Sequence, residues 1–231
     1  MFKKFFIHIP KNAGMTIRKS PVIANNIITA TPQWHKDSAY TNAVQMKMAL
    51  LGDHHGFEHA RWQDLNAEAQ SMPAFAVIRN PWDRVISRYF FAKKVIEVEK
   101  KVSASYADVS SFEAFLEERH KWGNEPYMWH RAVRGWYPAF DHVVDPATNN
   151  ISKQISILRF EYLNEDLCRF FAIAQMSRAR NVTALNTGSY KDLYTATTIQ
   201  VVADWYAKDI ETWGYDFASG PTRNTLYNEI S

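Results

Sequence analysis

Two segments of this chain each carry an apolar run straight into a polar turn, and between them they leave few folds open. The first is Phe6-Ile-His-Ile-Pro-Lys-Asn-Ala-Gly-Met-Thr-Ile17 and the second Ala76-Val-Ile-Arg-Asn-Pro-Trp-Asp-Arg-Val-Ile-Ser-Arg-Tyr89. Phe5 to Ile9 is short and apolar enough for a buried strand, and the breakers from Pro10 to Gly14 must turn the chain. Small Ala13 and Gly14 let backbone amides approach an anion, a helix beginning near Met15 adds the positive end of its dipole, and Lys11 adds a formal charge. Taken alone, this segment reads equally well as an ordinary strand-to-helix turn with a solvated lysine.

The second segment says more. Ala74 to Ile78 predicts a central strand, Asn80 a helix cap, and Pro81 the first helical residue, so Arg79 stands at the strand's carboxyl end. A helix from Pro81 to about Lys94 puts Trp82, Val85, Ile86, Tyr89 and Lys93 on one face and Arg84, Ser87, Arg88 and Phe91 on another. Arg84 and Arg88 then read as a solvated face whose arginines pair with nearby acids. Open α/β sheets bind ligands beyond the carboxyl ends of their strands, which is where Lys11 and Arg79 fall. The predicted architecture is a single α/β domain over 1–231, with a central, mainly parallel sheet flanked by helices. A G-x-x-x-x-G-K-[ST] loop is absent, since no Gly-Lys pair occurs in the chain, and this argues against a kinase or ATPase.

On these residues the chain resembles the sulfotransferase superfamily, in particular its carbohydrate and Golgi-type branch with bacterial and viral relatives. His8 to Thr16 resembles that family's 5′-phosphosulfate loop, and Val77 to Tyr89 its 3′-phosphate motif. The likeness continues in Arg159-Phe-Glu-Tyr-Leu163, in Asn186-Thr-Gly-Ser-Tyr-Lys191 and in the closing Ile210-Glu-Thr-Trp-Gly-Tyr-Asp-Phe217. The resemblance implies a P-loop NTPase-like three-layer fold and 3′-phosphoadenosine 5′-phosphosulfate as co-substrate, without a metal. Lys11 and the backbone of Asn12, Ala13, Gly14, Met15 and Thr16 would hold the 5′ end. Arg79 and Ser87 would hold the 3′-phosphate, for which an arginine fork plus a hydroxyl is suited. Ser189, Tyr190 and Lys191 would close over the nucleotide. The family loop has threonines where Asn12 and Met15 stand here, so Met15 lacks a hydroxyl that Thr16 must replace, or donor affinity falls.

Sulfuryl transfer asks the protein for in-line positioning and charge stabilisation, and by family analogy Lys11 faces the leaving phosphate. A base must take the acceptor's proton. Gly52-Asp-His-His-Gly-Phe-Glu-His-Ala-Arg-Trp62 offers His54, His55, Glu58 and His59, in the interval where the carbohydrate branch places a catalytic histidine. His59, before a predicted helix from Ala60 to Ala69, aligns best, and His55 next. A solvated polar loop explains the same cluster without the motifs, and a metal site on His55 and His59 lacks an H-E-x-x-H or cysteine pair to support it.

A net charge of +3 is mild for a nucleic-acid binder but adequate for a local anion site. Lys93, Lys94, Lys100 and Lys101 form a dense basic patch, read as a solvated helix face. The single cysteine, Cys168, excludes an intrachain disulfide, and on a helix from Glu161 to Ile173 it is expected to face the core. The apolar start is too short for a signal peptide or membrane span, so a cytoplasmic protein is expected.

Other elements expected are a helix from Asp37 to Leu51, a capping box at Ser110-Ser-Phe-Glu113 opening a helix to about Lys121, and strands at Phe140 to Val144 and Ile155 to Arg159. Ile199, Val202, Ala203, Tyr206, Ile210 and Trp213 follow helical spacing. Arg159 is expected to pair with Glu161 or a neighbouring acid unless it reaches the donor. Trp122 to Trp136 is rich in aromatics that suit either sheet cover or stacking on a saccharide. The function expected is transfer of a sulfuryl group to a hydroxyl acceptor, taken as a carbohydrate from the family branch. The alternatives are a nucleotide-dependent phosphotransferase or kinase, a non-catalytic nucleotide-binding protein and, last, a metal-dependent hydrolase.

Overall fold

Four strands build the sheet that carries the site. The computed structural model describes residues 3–50, 56–101, 107–123, 135–176 and 190–222. Strands β1 (Lys4–Ile7), β2 (Ile27–Thr29), β3 (Ala74–Ile78) and β6 (Ile155–Arg159) pair in the order β2-β1-β3-β6, every pair parallel. Short β4 (Val144–Asp145) and β5 (Asn150–Ile151) form a separate antiparallel pair. Period-two alternation sends Phe5, Ile7, Ala74, Ala76, Ile78, Ile155 and Ile157 into one apolar layer, and Phe6, Phe75, Val77 and Leu158 into the other. Both faces are therefore covered, as a parallel sheet requires. The first layer is closed by α4 (Pro81–Lys93), α5 (Phe112–Trp122) and α8 (Ala196–Trp205), the second by α1 (Gly14–Arg18) and α7 (Leu163–Phe171).

Strand β1 ends two residues before the expected Ile9, because the Ile9 amide turns back onto the Ile7 carbonyl (3.1 Å) and the Asn12 amide onto that of Ile9 (3.3 Å). Helix α2 (Ser38–Leu50) and strand β6 lie where the pattern predicts. The expected helix from Ala60 to Ala69 is instead a 3-10 turn at Trp62–Asp64 followed by α3 (Ala67–Gln70). Asn66 is the reason, since its side chain accepts the Ala69 amide and caps a new, short helix. The cap of α5 is Ser111, which accepts the Ala114 amide, while Ser110 bonds Asp108.

Phe140 to Val144 corrects the sequence reading, because all but Val144, which opens β4, lies in α6 (Ala139–Val143) rather than in a strand. The buried Asp209 carboxylate accepts the amides of Ala139 (2.7 Å) and Phe140 (2.8 Å), a cap supplied from about seventy residues away. The spacing from Ile199 to Trp213 is helical, but it breaks at Tyr206 (φ −109°, ψ 25°) into α8 and α9 (Ala207–Trp213). Cys168 sits half-buried on α7, against the second layer. The basic patch is a solvated face in which Lys93 pairs with Glu97, and Lys94 and Lys101 pair with Glu99. Among the described residues, no helix is long and apolar enough to cross a membrane.

Candidate active site

Strand β1 feeds a loop whose backbone alternates in hand. Lys11 (φ 67°) and Ala13 (φ 63°) both take the left-handed conformation, which a non-glycine residue adopts at a cost of about 1 kcal/mol. Left-handed residues interleaved with others turn successive amides to one side, forming a concave cradle for an anion. Asn12, between them, is buried and aims its amide inward, with Nδ2 donating to the Val77 carbonyl of β3 (2.7 Å) and Oδ1 without a partner among the described residues. The side chain of Asn12 therefore ties the loop to the sheet while its own amide bonds the Ile9 carbonyl (3.3 Å), which leaves the cradle to the amides that follow.

Two arginines of the second segment hold the loop from behind. Arg79 Nη1 donates to the Lys11 carbonyl (2.8 Å) and Arg84 Nε to the Pro10 carbonyl (3.1 Å), so consecutive carbonyls are gripped and turned from the cradle. Arg79 is further fixed by Nε on Asp83 Oδ2 (2.6 Å) and by the Phe160 ring 3.9 Å from its guanidinium. Arg84 and Arg88 are not on a solvated face, and the ion pairs among the described residues include neither of them. Both are almost wholly enclosed, at 1 % and 0 % exposure. Arg84 Nη1 reaches the Tyr137 carbonyl (3.0 Å), while Arg88 lies 4.0 Å over the Trp136 ring and donates to Tyr206 Oη (3.4 Å). Carbonyls and rings distant in sequence replace carboxylates, which the helical pattern of α4 could not announce.

Asp83, Ser87 and Phe91 lie four residues apart on one face of α4. Arg79 is bonded to Asp83 at one end of that face, and Lys11 Nζ stands 4.5 Å from the Phe91 ring at the other. The half-buried Ser87 falls between Asp83 and Phe91 on that face, so the helix places it between the positions that Arg79 and Lys11 meet. Burial, together with Arg79, Arg88 and Lys94, lowers the Lys11 ammonium to about 8. Lys11 has a ring and no carboxylate within reach among the described residues, which leaves its charge available to an anion.

Asn80 anchors the opposite wall. Its Oδ1 caps α4 through the amides of Trp82 (3.0 Å) and Asp83 (3.4 Å), and its Nδ2 donates to the carbonyls of Asp216 (2.8 Å) and Ser219 (2.9 Å). Lys191 bonds the Ala218 carbonyl of that same turn (3.3 Å), which brings the last residue of the predicted closing loop to the wall that Asn80 anchors. Tyr190 opens the 3-10 turn Tyr190–Leu193, whereas Ser189 lies outside the described residues. Arg159 pairs with Asp166 through two bonds (3.0 and 2.7 Å) and is thereby committed to the scaffold.

Of the base candidates, His54 and His55 lie outside the described residues. Glu58 faces Arg18 at 3.8 Å. His59 closes the 3-10 turn Phe57–His59, and its Nδ1 lies 2.7 Å from the His8 carbonyl. A carbonyl only accepts, so Nδ1 carries the hydrogen and Nε2 is left to take a proton. Burial, with the Arg18 and Arg84 charges, lowers His59 below the ordinary histidine value, against the opposing pull of Glu58 and the carbonyl. His8, which sequence reasoning absorbed into the strand, packs its ring 4.3 Å from that of His59, and His142 adds to the same enclosed cluster. No group of three or more His, Cys, Asp or Glu side chains able to hold a metal occurs among the described residues.

The model of the sulfotransferase family matches residues 3–216 of this chain. The crystal structure of a sulfotransferase from Alicyclobacillus acidocaldarius is similar over 91% of this chain and 94% of its own, at 17% identity and a TM-score of 0.42. No curated protein matches the chain.

Proposed function

The chain belongs to the sulfotransferase family, and from that premise we propose that, as one domain over 1–231, it moves the sulfuryl group of 3′-phosphoadenosine 5′-phosphosulfate onto a hydroxyl acceptor, a saccharide. The observation that supports this most is the row of Arg79, Ser87 and Lys11 along one face of α4, beside a cradle of left-handed residues. A nucleotide bearing a 3′-phosphate and a 5′-phosphosulfate presents two anions, and the arrangement offers a cation near each end.

In this reading the amides from Ala13 to Thr16 and the Lys11 ammonium take the 5′ end, with the Asn12 amide held by Ile9, and Lys11 offsets charge growing on the bridging oxygen as the sulfur–oxygen bond breaks. Ser87 and the edge of Arg79 turned from Asp83 take the 3′-phosphate. Tyr190 and Lys191 approach from the closing loop. His59 Nε2 takes the acceptor's proton as the new oxygen–sulfur bond forms, with His55 the next candidate. No step calls for a metal. The single cysteine suits a reducing cytoplasm.

The deciding experiment is calorimetric binding of 3′-phosphoadenosine 5′-phosphate, 5′-AMP and ATP, with and without magnesium, to the wild type and to Ser87→Ala and Arg79→Ala. The expected result is magnesium-independent preference for the bisphosphate, weakened in both variants. Preference for ATP with magnesium would replace this reading with a phosphotransferase. Bisphosphate binding without turnover on any hydroxyl acceptor would make the protein a nucleotide-binding module.

A further inference from the structure

The His8 side chain has no part in the function proposed above, yet it is enclosed between the two pieces of chemistry. It stands one residue past β1 with 6 % of its surface exposed. On one side its ring meets Gly14, the first residue of α1, so closely that a Cβ at Gly14 would run into His8 Nε2. On another it stacks on Phe6, with centroids 5.3 Å apart and planes 21° apart. On a third it lies against His59 at 4.3 Å and 50°. The His8 carbonyl meanwhile accepts from His59 Nδ1. One residue thus touches the cradle through its ring and the histidine through both ring and main chain.

We propose that His8 is the positioning residue for His59: its carbonyl selects the tautomer with Nδ1 protonated, and its ring spaces His59 from Gly14 while keeping water from the imidazole.

The ring works by its area. His8 Nδ1 is buried with no hydrogen-bond partner among the described residues, so the contribution of the side chain is assigned to the ring face and not to that nitrogen. Two imidazoles at this separation cannot both hold a proton cheaply in an enclosed site. Burial, His59, Arg18 and His142 all press His8 toward its neutral form, and His59 faces Glu58, Arg18, Arg84 and His8. Neutral His8 therefore serves as an apolar plate that keeps His59 neutral at working pH, ready to accept a proton. The same packing gives Gly14 a physical role besides any it has toward an anion, since only a residue without a Cβ leaves the His8 ring in place.

The inference rests on the reading of His59 as base, so its test uses a readout independent of turnover. Nitrogen-15 imidazole resonances of His59, followed by pH titration in the free protein, report tautomer and protonation directly. Wild type should show neutral His59 protonated on Nδ1, titrating below the ordinary value. His8→Ala keeps the carbonyl but admits water, so the tautomer should persist while the titration moves up toward about 6.5, with kcat falling roughly tenfold or more at unchanged bisphosphate affinity. His8→Phe restores a plate without a stranded nitrogen. It should keep the wild-type titration and most of kcat, with a melting temperature at or above wild type.

Equal harm from His8→Phe and His8→Ala would overturn the proposal, as would an unmoved His59 titration in His8→Ala. Should His8→Ala fail to fold, Gly14→Ala, which pushes the ring from the other side, must shift the same resonance or the proposal falls. Loss of the base reading has a different signature: His59→Ala would stay active while the coupling of His8 to the His59 titration remained measurable.

Discussion

Asn12 and Asn80 stand just past the carboxyl ends of adjacent strands, β1 and β3, and the two asparagines are used in opposite ways. Every polar atom of Asn80 works for the scaffold, since its oxygen caps α4, its amide holds the Asp216–Ser219 turn, and its own backbone amide rests on Glu161 (2.7 Å). Around Asn12 the groups remain partly unspent. Among the described residues Asn12 Oδ1, His8 Nδ1 and Arg84 Nη2 are buried without hydrogen-bond partners, Lys11 meets a ring, and two residues hold left-handed backbone. Native interiors seldom leave polar groups in that state, and where they do, strain or chemistry is the usual reason. The contrast separates what holds the fold from what the proposed function assigns to the ligand, even though both lie on the same edge of the sheet.

The largest expected effect breaks this comparison if it fails. Lys11→Ala should lower sulfuryl transfer on the order of 10²–10³-fold, the range seen when one donor to a developing oxyanion is removed, while the melting temperature stays close to wild type. A large loss of stability instead would place Lys11 on the scaffold side. The mirror experiment is Asn80→Ala, which removes a cap and leaves two carbonyls without their donor. Urea denaturation should show a loss of about 3 kcal/mol. Asn12→Ala, with one bond to lose, should cost about 1 kcal/mol.

How much of this contrast the sequence announces depends on the range of the forces involved. The cap at Asn80-Pro81, strand β6 and the turn after β1 are all legible, because each is decided within a few residues. Helix α6 is not, since the carboxylate that caps it belongs to Asp209 on α9. Burial raises that carboxyl to about 6, a cost accepted for the cap and eased by Arg84. Arg84 and Arg88 misled for the same reason, their partners being Pro10, Tyr137, Trp136 and Tyr206. For the candidate site, the places of Lys11 and Arg79 just past β1 and β3 and of Ser87 on α4 were legible from strand-end and helix spacing. His8 was hidden inside an apolar run, and only the contacts with Gly14 and His59 reveal it.

A pH profile sharpens the comparison at intermediate scale. The profile of kcat/KM reports the free enzyme. His59 must be neutral to accept a proton, so activity falls as pH drops through its lowered value, below the ordinary 6.5. Lys11 must be charged, so activity falls as pH rises through about 8. The expected profile is a bell between these limits, and Lys11→Arg should extend its alkaline side while keeping the acid limb. An alkaline limb unmoved in that variant would assign it to another group.

The smallest effect tests the departure within the cradle itself. Met15 stands in the first turn of α1, where the resemblance leads one to expect a threonine, and its thioether cannot donate a hydrogen bond to an anion. Met15→Thr adds one hydroxyl to a site that already holds the left-handed loop and Lys11. One added hydrogen bond is worth about 1 kcal/mol, so bisphosphate binding should tighten roughly fivefold, measured by the same calorimetry. The paired change Thr16→Val distinguishes two ways the natural loop can manage without it. If Thr16 already supplies the hydroxyl, Thr16→Val weakens wild-type binding, and Met15→Thr restores it. If neither hydroxyl reaches the ligand, both substitutions leave affinity unchanged, and the cradle works through its main chain and Lys11 alone.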